Sequence, residues 1–384
     1  MKTTKLYYTD AYLKEFQSVI TDITENSIVL EKTAFFPEGG GQSSDIGTLG
    51  ECEIYDVQEI NSEIHHFFKG SPAYKKGDVI TGKINFEKRF SDMQQHSGEH
   101  IVSGLAHKMF GCDNVGFHLG SEVVTLDLNR VFTYEEIVAL EKASNNVVTS
   151  NKKITGTFPD KATLSTLNFR SKKEISEDLR IVEIQDTDIC ACCAPHVSMT
   201  GEIGLIKIVD YEKHRGGTRI SILCGQRAME DYRIKQEQNR NISIALKVKE
   251  YETYDGVRKL LSRKADLDFE NGSLNREIAN LQADAVEPKD KIIAFTELTG
   301  SNLTIFSNKL KEKASVFAAV FSQTEEDKFQ YVISSNSIDV RDLCKEMNSK
   351  LNGKGGGKPM MVQGTLNSNK EQIIEFFGRG KGME

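Results

Sequence analysis

Two short pairs of metal-binding side chains, His96-Ser-Gly-Glu-His100 and Cys192-Cys-Ala-Pro-His196, lie far apart in the chain, and each sets two ligands four residues apart. A fold that closes both pairs on one ion must bring two distant segments together. The first pair requires a helix, because residues i and i+4 lie one above the other on a single face. Phe90, Met93, Ile101, Leu105 and Met109 flank it at positions that predict a helix half buried against a sheet. Either pair alone is a weak motif, since two histidines on a helix are as readily polar residues on a wet face. Together, His96, His100, Cys192 and His196 form the nitrogen and sulfur donor set of tetrahedral Zn2+, which is the expected cofactor.

Cysteine placement agrees. Cys190, Cys192 and Cys193 crowd one segment while Cys52, Cys112, Cys224 and Cys344 are scattered, a pattern of metal or redox chemistry and not of a disulfide framework. Spacing alone does not select among the three clustered thiols. Cys192 is chosen because its distance to His196 mirrors the histidine pair, and Cys190 and Cys193 read equally well as ordinary buried or loop thiols.

With 384 residues and 38% apolar content, the chain can bury a substantial core divided among two or three domains. No apolar run approaches the ~18 to 20 residues needed to cross a bilayer, and the start lacks a secretory stretch, so a cytoplasmic protein is expected. A net charge of -7 argues against binding nucleic acid over the whole surface but leaves room for a local basic patch.

The expected architecture is α+β. Residues 1–85 read as short strands separated by turns, among them Ser27-Ile-Val-Leu-Glu, Glu53-Ile-Tyr-Asp-Val and Glu63-Ile-His-His-Phe-Phe, which predict a small β-barrel. Within it, Gly39, Gly40 and Gly41 permit positive φ and close backbone approach, either as a flexible hairpin or as a surface that packs on a ligand. Residues 86–225 alternate helices with strands such as Glu122-Val-Val-Thr-Leu-Asp-Leu and form the zinc-bearing core, since both ligand pairs fall there. Residues 226–285 are charged, with a break expected at Asp255-Gly256. Leu260, Leu267, Leu274 and Leu281 recur every seven residues, so a helical hairpin or coiled-coil arm is expected, weakened by Lys264 and Asn271 on the alternate seam. Residues 286–384 form a small α/β domain with strands expected at Lys291-Ile-Ile-Ala-Phe, Leu303-Thr-Ile-Phe, Ser315-Val-Phe-Ala-Ala-Val-Phe and Phe329-Gln-Tyr-Val-Ile-Ser. A glycine loop follows at Gly353-Lys-Gly-Gly-Gly-Lys and a helix at Lys370-Glu-Gln-Ile-Ile-Glu-Phe-Phe. The loop lacks the spacing of a triphosphate-binding motif; its amides, with Lys354 and Lys358, suit an RNA phosphate.

Zn2+ polarises a carbonyl and lowers the pKa of coordinated water towards ~7, which favours ester hydrolysis. Four protein ligands describe a closed structural site, whereas a catalytic site keeps one position for water or substrate. That tension is met if the ion expands its coordination or exchanges a ligand. Two other readings compete. His-Ser-Gly-Glu-His is also the inverted zincin pattern, with Glu99 as the general base of a metallopeptidase. Alternatively the zinc is structural and the chain is an RNA-binding module without catalysis.

The chain resembles the long form of the AlaX alanyl-tRNA editing proteins, free-standing relatives of the editing region of alanyl-tRNA synthetase. The resemblance rests on Phe36-Pro-Glu-Gly-Gly-Gly-Gln with Asp45, on the two ligand pairs, and on the continuation of the second through Thr200-Gly-Glu-Ile-Gly. Arg215-Gly-Gly-Thr-Arg-Ile and Leu223-Cys-Gly add to it, and Gly353-Lys-Gly-Gly-Gly-Lys-Pro looks like the DHH-associated C-terminal domain. It implies that residues 86–225 are a deacylase core and residues 286–384 a tRNA-binding domain. The implied reaction is hydrolysis of the ester joining serine or glycine to tRNA-Ala. The implied zinc ligands are His96, His100, Cys192 and His196, with Gly39, Gly40, Gly41 and Gln42 near the substrate. Two departures stand out: His118 occupies a position where the synthetase editing site carries glutamine, and Pro195 replaces threonine.

Recognising serine against alanine is recognition of an added hydroxyl, and a site built to hydrogen-bond that group rejects the analogue lacking it. Ser97, next to the first ligand, is the candidate for that contact, and His118 is the candidate acid or base. Glycine must be separated from alanine by a methyl worth only ~1 to 3 kcal/mol, so serine is the sharper expectation. The expected tRNA contacts are Lys354, Gly355, Gly356, Gly357 and Lys358, with Arg379 and Lys381. A homodimer through residues 226–285 or the C-terminal domain is the other partner expectation.

Overall fold

Period-two burial along Glu63–Phe68, where Ile64, His66 and Phe68 turn inward, marks a strand with one buried face. Six strands, Glu15–Ile23, Ser27–Leu30, Glu63–Phe68, Cys52–Ile60, Gly47–Leu49 and Val79–Ile84, pair in that order, and the last returns to the first to close a barrel. Ile28, Leu30, Phe35, Leu49, Ile54 and Ile64 fill its interior. This computed structural model describes residues 2–70, 73–171 and 179–378, so Arg379 and Lys381 lie outside the described residues. The chain forms two compact units, Met1–Asn239 and Arg240–Glu384, and the boundary falls inside the helix Gly225–Leu246.

In the first unit the barrel leads into helix α1, Phe86–Phe110. The Asn85 side chain caps it by accepting the Lys88 N–H at 3.1 Å, and Gly111 ends it at a left-handed φ of 64°. A four-stranded antiparallel sheet, in the order Ile206–His214, Gly217–Cys224, Val124–Leu128 and Asn114–Leu119, packs against α1 and against α2, Tyr134–Thr149. Ile101, Val102, Leu126, Leu140, Ile220 and Ile222 make that core. A three-stranded sheet, Ile154–Thr157, Ile181–Ile184 and Asp188–Ala191, sets its last strand beside α1. Two helical glycines explain how closely these pieces approach. A Cβ on Gly98 would lie 2.3 Å from Cys224 Sγ, and one on Gly104 would lie 2.7 Å from Asp188 Cβ.

Barrel and helix are joined by a buried ion pair. Arg89 of α1 is 0% exposed and Asp45 is 1% exposed. Arg89 Nε donates to Asp45 Oδ1 at 2.9 Å, a second guanidinium nitrogen meets Oδ2, and NH1 and NH2 donate to the Ala11 and Ala34 carbonyls at 3.0 and 2.6 Å. Asp45 Oδ2 also accepts the Phe36 N–H at 2.5 Å.

The second unit contains the helix Thr253–Asp284 and a five-stranded sheet. Its order is Lys289–Thr296, Ala314–Glu325, Lys328–Ser334, Met361–Asn367 and Lys354–Lys358, with the first pair parallel and the rest antiparallel. Two apolar clusters stabilise it, one around Phe321, Tyr331 and Met347 and the other around Ala279, Phe306 and Val320. Three expectations are corrected here. The helical break falls after Leu246, where Lys247 has φ 55°, and not at Asp255-Gly256. Gly256 lies inside the second helix, where a Cβ would sit 3.0 Å from Leu246, so it permits close helix contact and does not end a helix. Leu303-Thr-Ile-Phe belongs to the helix Gly300–Lys311, which buries Leu303, Phe306 and Leu310 at helical spacing. The segment Lys354–Lys358 is an edge strand and not a loop, because Gly355 and Gly357 press against the backbone of their partner strand. Leu260, Leu267, Leu274 and Leu281 are all exposed. No helix among the described residues is long and apolar enough to cross a membrane.

Two stability measurements follow. Removing one partner of a buried ion pair leaves an uncompensated charge, so Asp45→Ala should lose roughly 3 to 5 kcal/mol in urea unfolding. His66, inside the barrel, bonds Ile28 O through Nδ1 at 2.9 Å and Thr33 Oγ1 through Nε2 at 2.8 Å. Burial pushes its pKa down from 6.5 to about 4. Between these values the unfolded chain holds the extra proton, so stability should fall as pH drops from 6.5 towards 4, by up to about 3 kcal/mol. His66→Gln should remove that part of the acid sensitivity.

Candidate metal centre

Helix α1 stacks His96 and His100 on one face, and the segment after the strand Asp188–Ala191 brings Cys192 and His196 opposite them. All four are buried, and a single donor atom from each lies within 4.8 Å of the others. The rings of His96 and His196 are 4.9 Å apart and those of His100 and His196 4.7 Å apart, while Cys192 Sγ is 3.4 Å from His96 Nε2.

Each histidine ring is oriented through its Nδ1. His96 Nδ1 meets Gln42 Oε1 at 2.9 Å, His100 Nδ1 meets Asp188 Oδ2 at 3.2 Å, and His196 Nδ1 meets the Ala194 carbonyl at 2.8 Å. All three acceptors require the proton on Nδ1, which leaves each Nε2 as a lone pair for a cation. His196 Nε2 is buried without a hydrogen-bond partner, as expected of a metal-binding nitrogen. The donor set therefore fits Zn2+.

Electrostatics reinforce this arrangement. Burial alone would raise the Cys192 thiol, but the imidazoles of His96, His196 and His100 around it outweigh burial and hold the thiol well below its ordinary value. Burial favours neutral His100, yet its hydrogen bonds to Asp188 and Cys192 carry its pKa well above the ordinary value. Burial likewise opposes the Asp188 charge. The Arg170 fork, at 2.7 Å through both Nε and NH2, together with the His100 bond, holds the carboxyl at about 2. His196 is pushed down by burial to about 4. Cys190 forms a second cluster with His100 and Asp188. Arg170 already occupies that carboxylate, so the cluster around Cys192 is the better cation site.

The centre lies against a cavity of about 530 Å³, with His96, His100 and Cys192 on one wall and Gly40, Gly41 and Phe117 on another. Gly39 and Gln42 exchange backbone hydrogen bonds at 3.0 and 3.1 Å across a turn in which Gly40 and Gly41 have φ 63° and 84°. A Cβ on Gly41 would come within 2.6 Å of the Phe117 ring. The glycine run is thus a tight turn packed on Phe117 at the cavity. Gln42 turns inward and holds His96, a role distinct from the substrate contact expected of it. Arg180 NH1 donates to the Cys192 and Ala194 carbonyls at 3.2 and 2.8 Å and braces the ligand segment.

Two expected site residues are elsewhere. Ser97 is 0% exposed and does not line the cavity; its hydroxyl accepts the Val197 N–H at 3.2 Å and ties α1 to the second ligand segment. His118 pairs with Thr125, while Phe117 pairs with fully buried Leu126. Strand alternation therefore places His118 on the exposed face of the sheet, away from the metal cluster. Asp188 and Arg170 escaped the sequence reading, as did the orienting role of Gln42, since nothing in their spacing announces a second tier of hydrogen bonds. Lys354, Gly355, Gly356, Gly357 and Lys358 are exposed along their edge strand in the second unit.

Asp188→Asn and Gln42→Ala should each weaken retention of Zn2+ by about 10- to 100-fold, measured by competition with a chromophoric chelator. Retention unchanged from wild type would show that these partners do not orient the ligands.

Three family models match in order along the chain. They are tRNA synthetases class II (A) at residues 3–88, the threonyl and alanyl tRNA synthetase second additional domain at 179–221, and the DHHA1 domain at 289–379. The alanyl-tRNA editing protein AlaX-L of Pyrococcus horikoshii is 26% identical over 97% of this chain and 96% of its own length. The alanine–tRNA ligases of Pyrococcus abyssi and Pyrococcus furiosus are 27% and 28% identical over 97% and 99% of this chain. This chain spans 43% of the length of each ligase. With the three matches in sequence order and an end-to-end relative, the chain is similar throughout its length to the long-form AlaX alanyl-tRNA editing proteins.

Proposed function

We propose that this protein is a trans-editing hydrolase that deacylates mischarged tRNA-Ala, with Ser-tRNA-Ala as the principal substrate and Gly-tRNA-Ala as the second, in the cytoplasm. The observation that carries this reading is the convergence of three imidazoles and one thiol, with His96, His100 and Cys192 lining a cavity of about 530 Å³, a volume suited to a nucleoside and its ester. Bound Zn2+ would supply Lewis-acid polarisation and a more acidic water. The chain's own groups do the rest. Phe117 and the Gly40–Gly41 turn shape the walls, Gln42, Asp188 and Ala194 hold the imidazoles in the ligating tautomer, and Arg180 fixes the ligand segment.

A second reading shares the geometry. Four buried protein donors are also the set of a closed structural site, which would make the protein a zinc-stabilised RNA-binding module. The Cys192→Ala variant separates the two. Under the hydrolase reading, zinc-loaded protein releases labelled serine from Ser-tRNA-Ala at least about 100-fold faster than alanine from Ala-tRNA-Ala. Cys192→Ala abolishes that release and stays folded. Retained tRNA binding with no serine release by the wild type would establish the binding module instead.

The exposed edge strand Lys354–Lys358 is proposed as a contact for tRNA phosphates, and the exposed leucines of the helix Thr253–Asp284 as a homodimer seam. Replacing Lys354 and Lys358 by alanine should reduce the slope of log affinity against log salt by about one per lysine. An unchanged slope in a filter-binding titration would remove this strand from the interface.

A further inference from the structure

The cavity beside the metal centre carries two aromatic rings that neither the ligand set nor the hydrogen bonds orienting it makes use of. Tyr8 and Phe158 line it together with His96, His100 and Cys192. Their ring centroids are 5.2 Å apart with the planes at 71°, and Phe158 is 52% exposed. The local sequence holds both rings in place. Phe158 follows the strand Ile154–Thr157, and Pro159 after it restricts its backbone to extended conformations. Asp160 then caps the helix Lys161–Thr166 by accepting the Thr163 N–H at 2.8 Å. Tyr8 ends the short helical turn Leu6–Tyr8 and packs against the buried Tyr7 ring, with centroids 4.6 Å apart. Arg180 lies over the Tyr8 ring, 5.3 Å from its centroid, and a Cβ on Gly156 would collide with the same guanidinium. Arg180 therefore ties Tyr8 to the strand that delivers Phe158. One ring is fixed from behind and the other is left open.

Unpaired bases are held on protein surfaces by stacking on aromatic side chains. An aminoacyl ester at the 3′ end of an RNA carries such a base on the ribose that bears the ester. A second cavity, of about 1020 Å³, shares Val115, Arg170, Ser171 and Cys190 with the first. In it Arg170 and Asp188 neutralise each other, which leaves Asp113, Glu183 and Asp186 against Lys108 and His107. That lining has no surplus of positive charge to draw a phosphodiester chain, so the wall of Tyr8 and Phe158 is the better seat for the end of an RNA. We infer that the Phe158 ring, backed by Tyr8, stacks the 3′-terminal nucleobase of the substrate, so that the site selects nucleoside esters over simple amino-acid esters. A base laid flat on Phe158 stands at the same steep angle to Tyr8, the edge-to-face arrangement that aromatic rings prefer. This rests on the hydrolase reading and adds a substrate class to it: esters whose ribose carries a base.

The test uses the zinc-loaded full chain and two amide probes that resist hydrolysis, 3′-seryl-amino-3′-deoxyadenosine and the matching methyl riboside, in which a methoxy group replaces adenine. Binding of each is measured by calorimetry to wild type and to Phe158→Ala, with zinc content and thermal unfolding of both proteins recorded beside it. Wild type should prefer the adenosine probe by about 5- to 100-fold, the range of one base stacked on an aromatic side chain. In Phe158→Ala the preference should shrink to less than about threefold through weaker binding of the adenosine probe alone, and Phe158→Tyr should keep it. The chain contains no tryptophan, so Phe158→Trp introduces a single indole, whose fluorescence the adenosine probe should quench and the riboside should not. Equal binding of the two probes by wild type, a preference that survives in Phe158→Ala, or an indole that fails to distinguish the probes overturns the inference. The comparison of probes on wild type requires no variant to fold. Serine release from Ser-tRNA-Ala, measured in parallel, separates the two readings. Release without base preference removes the role of Phe158 and leaves the hydrolase, whereas base preference without release removes the hydrolase and leaves a nucleoside-binding site.

Discussion

The arrangement of the first unit depends on the buried pair of Arg89 and Asp45. Asp45 follows the glycine turn, Arg89 stands two turns before His96 on α1, and the guanidinium also holds the Ala11 and Ala34 carbonyls. A charge pair in a dry interior tolerates little displacement, because either ion left alone bears its full desolvation penalty. The pair therefore sets the position of the barrel against the helix. Gln42 meets His96 and Gly41 meets Phe117 only when that position is kept.

From this follows the electrostatic order of the metal centre. Three imidazoles crowded around a thiol would repel one another if all were protonated, and the fold avoids this by giving every Nδ1 an acceptor of different strength. A carboxylate backed by Arg170 serves His100, an amide serves His96, and a backbone carbonyl serves His196. Burial lowers both His100 and His196; at His100 the hydrogen bonds to Asp188 and Cys192 more than reverse it, whereas at His196 burial prevails. The four donors are thus preorganised in chemistry as well as in position.

The two units were unequally legible in the sequence. In the first, alternation of apolar residues announces the strands, and the histidine spacing announces α1. In the second, local signals were ambiguous. Leu303-Thr-Ile-Phe is a short apolar run that a helix or a strand can bury, and its helical state is settled by packing of Leu303, Phe306 and Leu310. Gly256 and the glycines of Lys354–Lys358 looked like punctuation. They are points of close approach to a neighbouring helix or strand, a property of the neighbour that no local pattern contains.

What the amino-acid sequence determined by itself was the donor chemistry, the helical presentation of His96 and His100, the likeness to the long-form AlaX proteins, and the mixed α and β architecture. These rest on periodicity, residue type and ordered motifs, all of which are local. Tertiary structure alone decided that Cys192 joins the histidines while Cys190 sits beside Asp188, that Gln42 serves an imidazole, that Ser97 is a brace, and that His118 faces outward. The reason is physical. A strand or helix pattern says that a side chain has one of two faces, but which face meets the site, and through which hydrogen bonds, depends on partners brought together from distant parts of the chain.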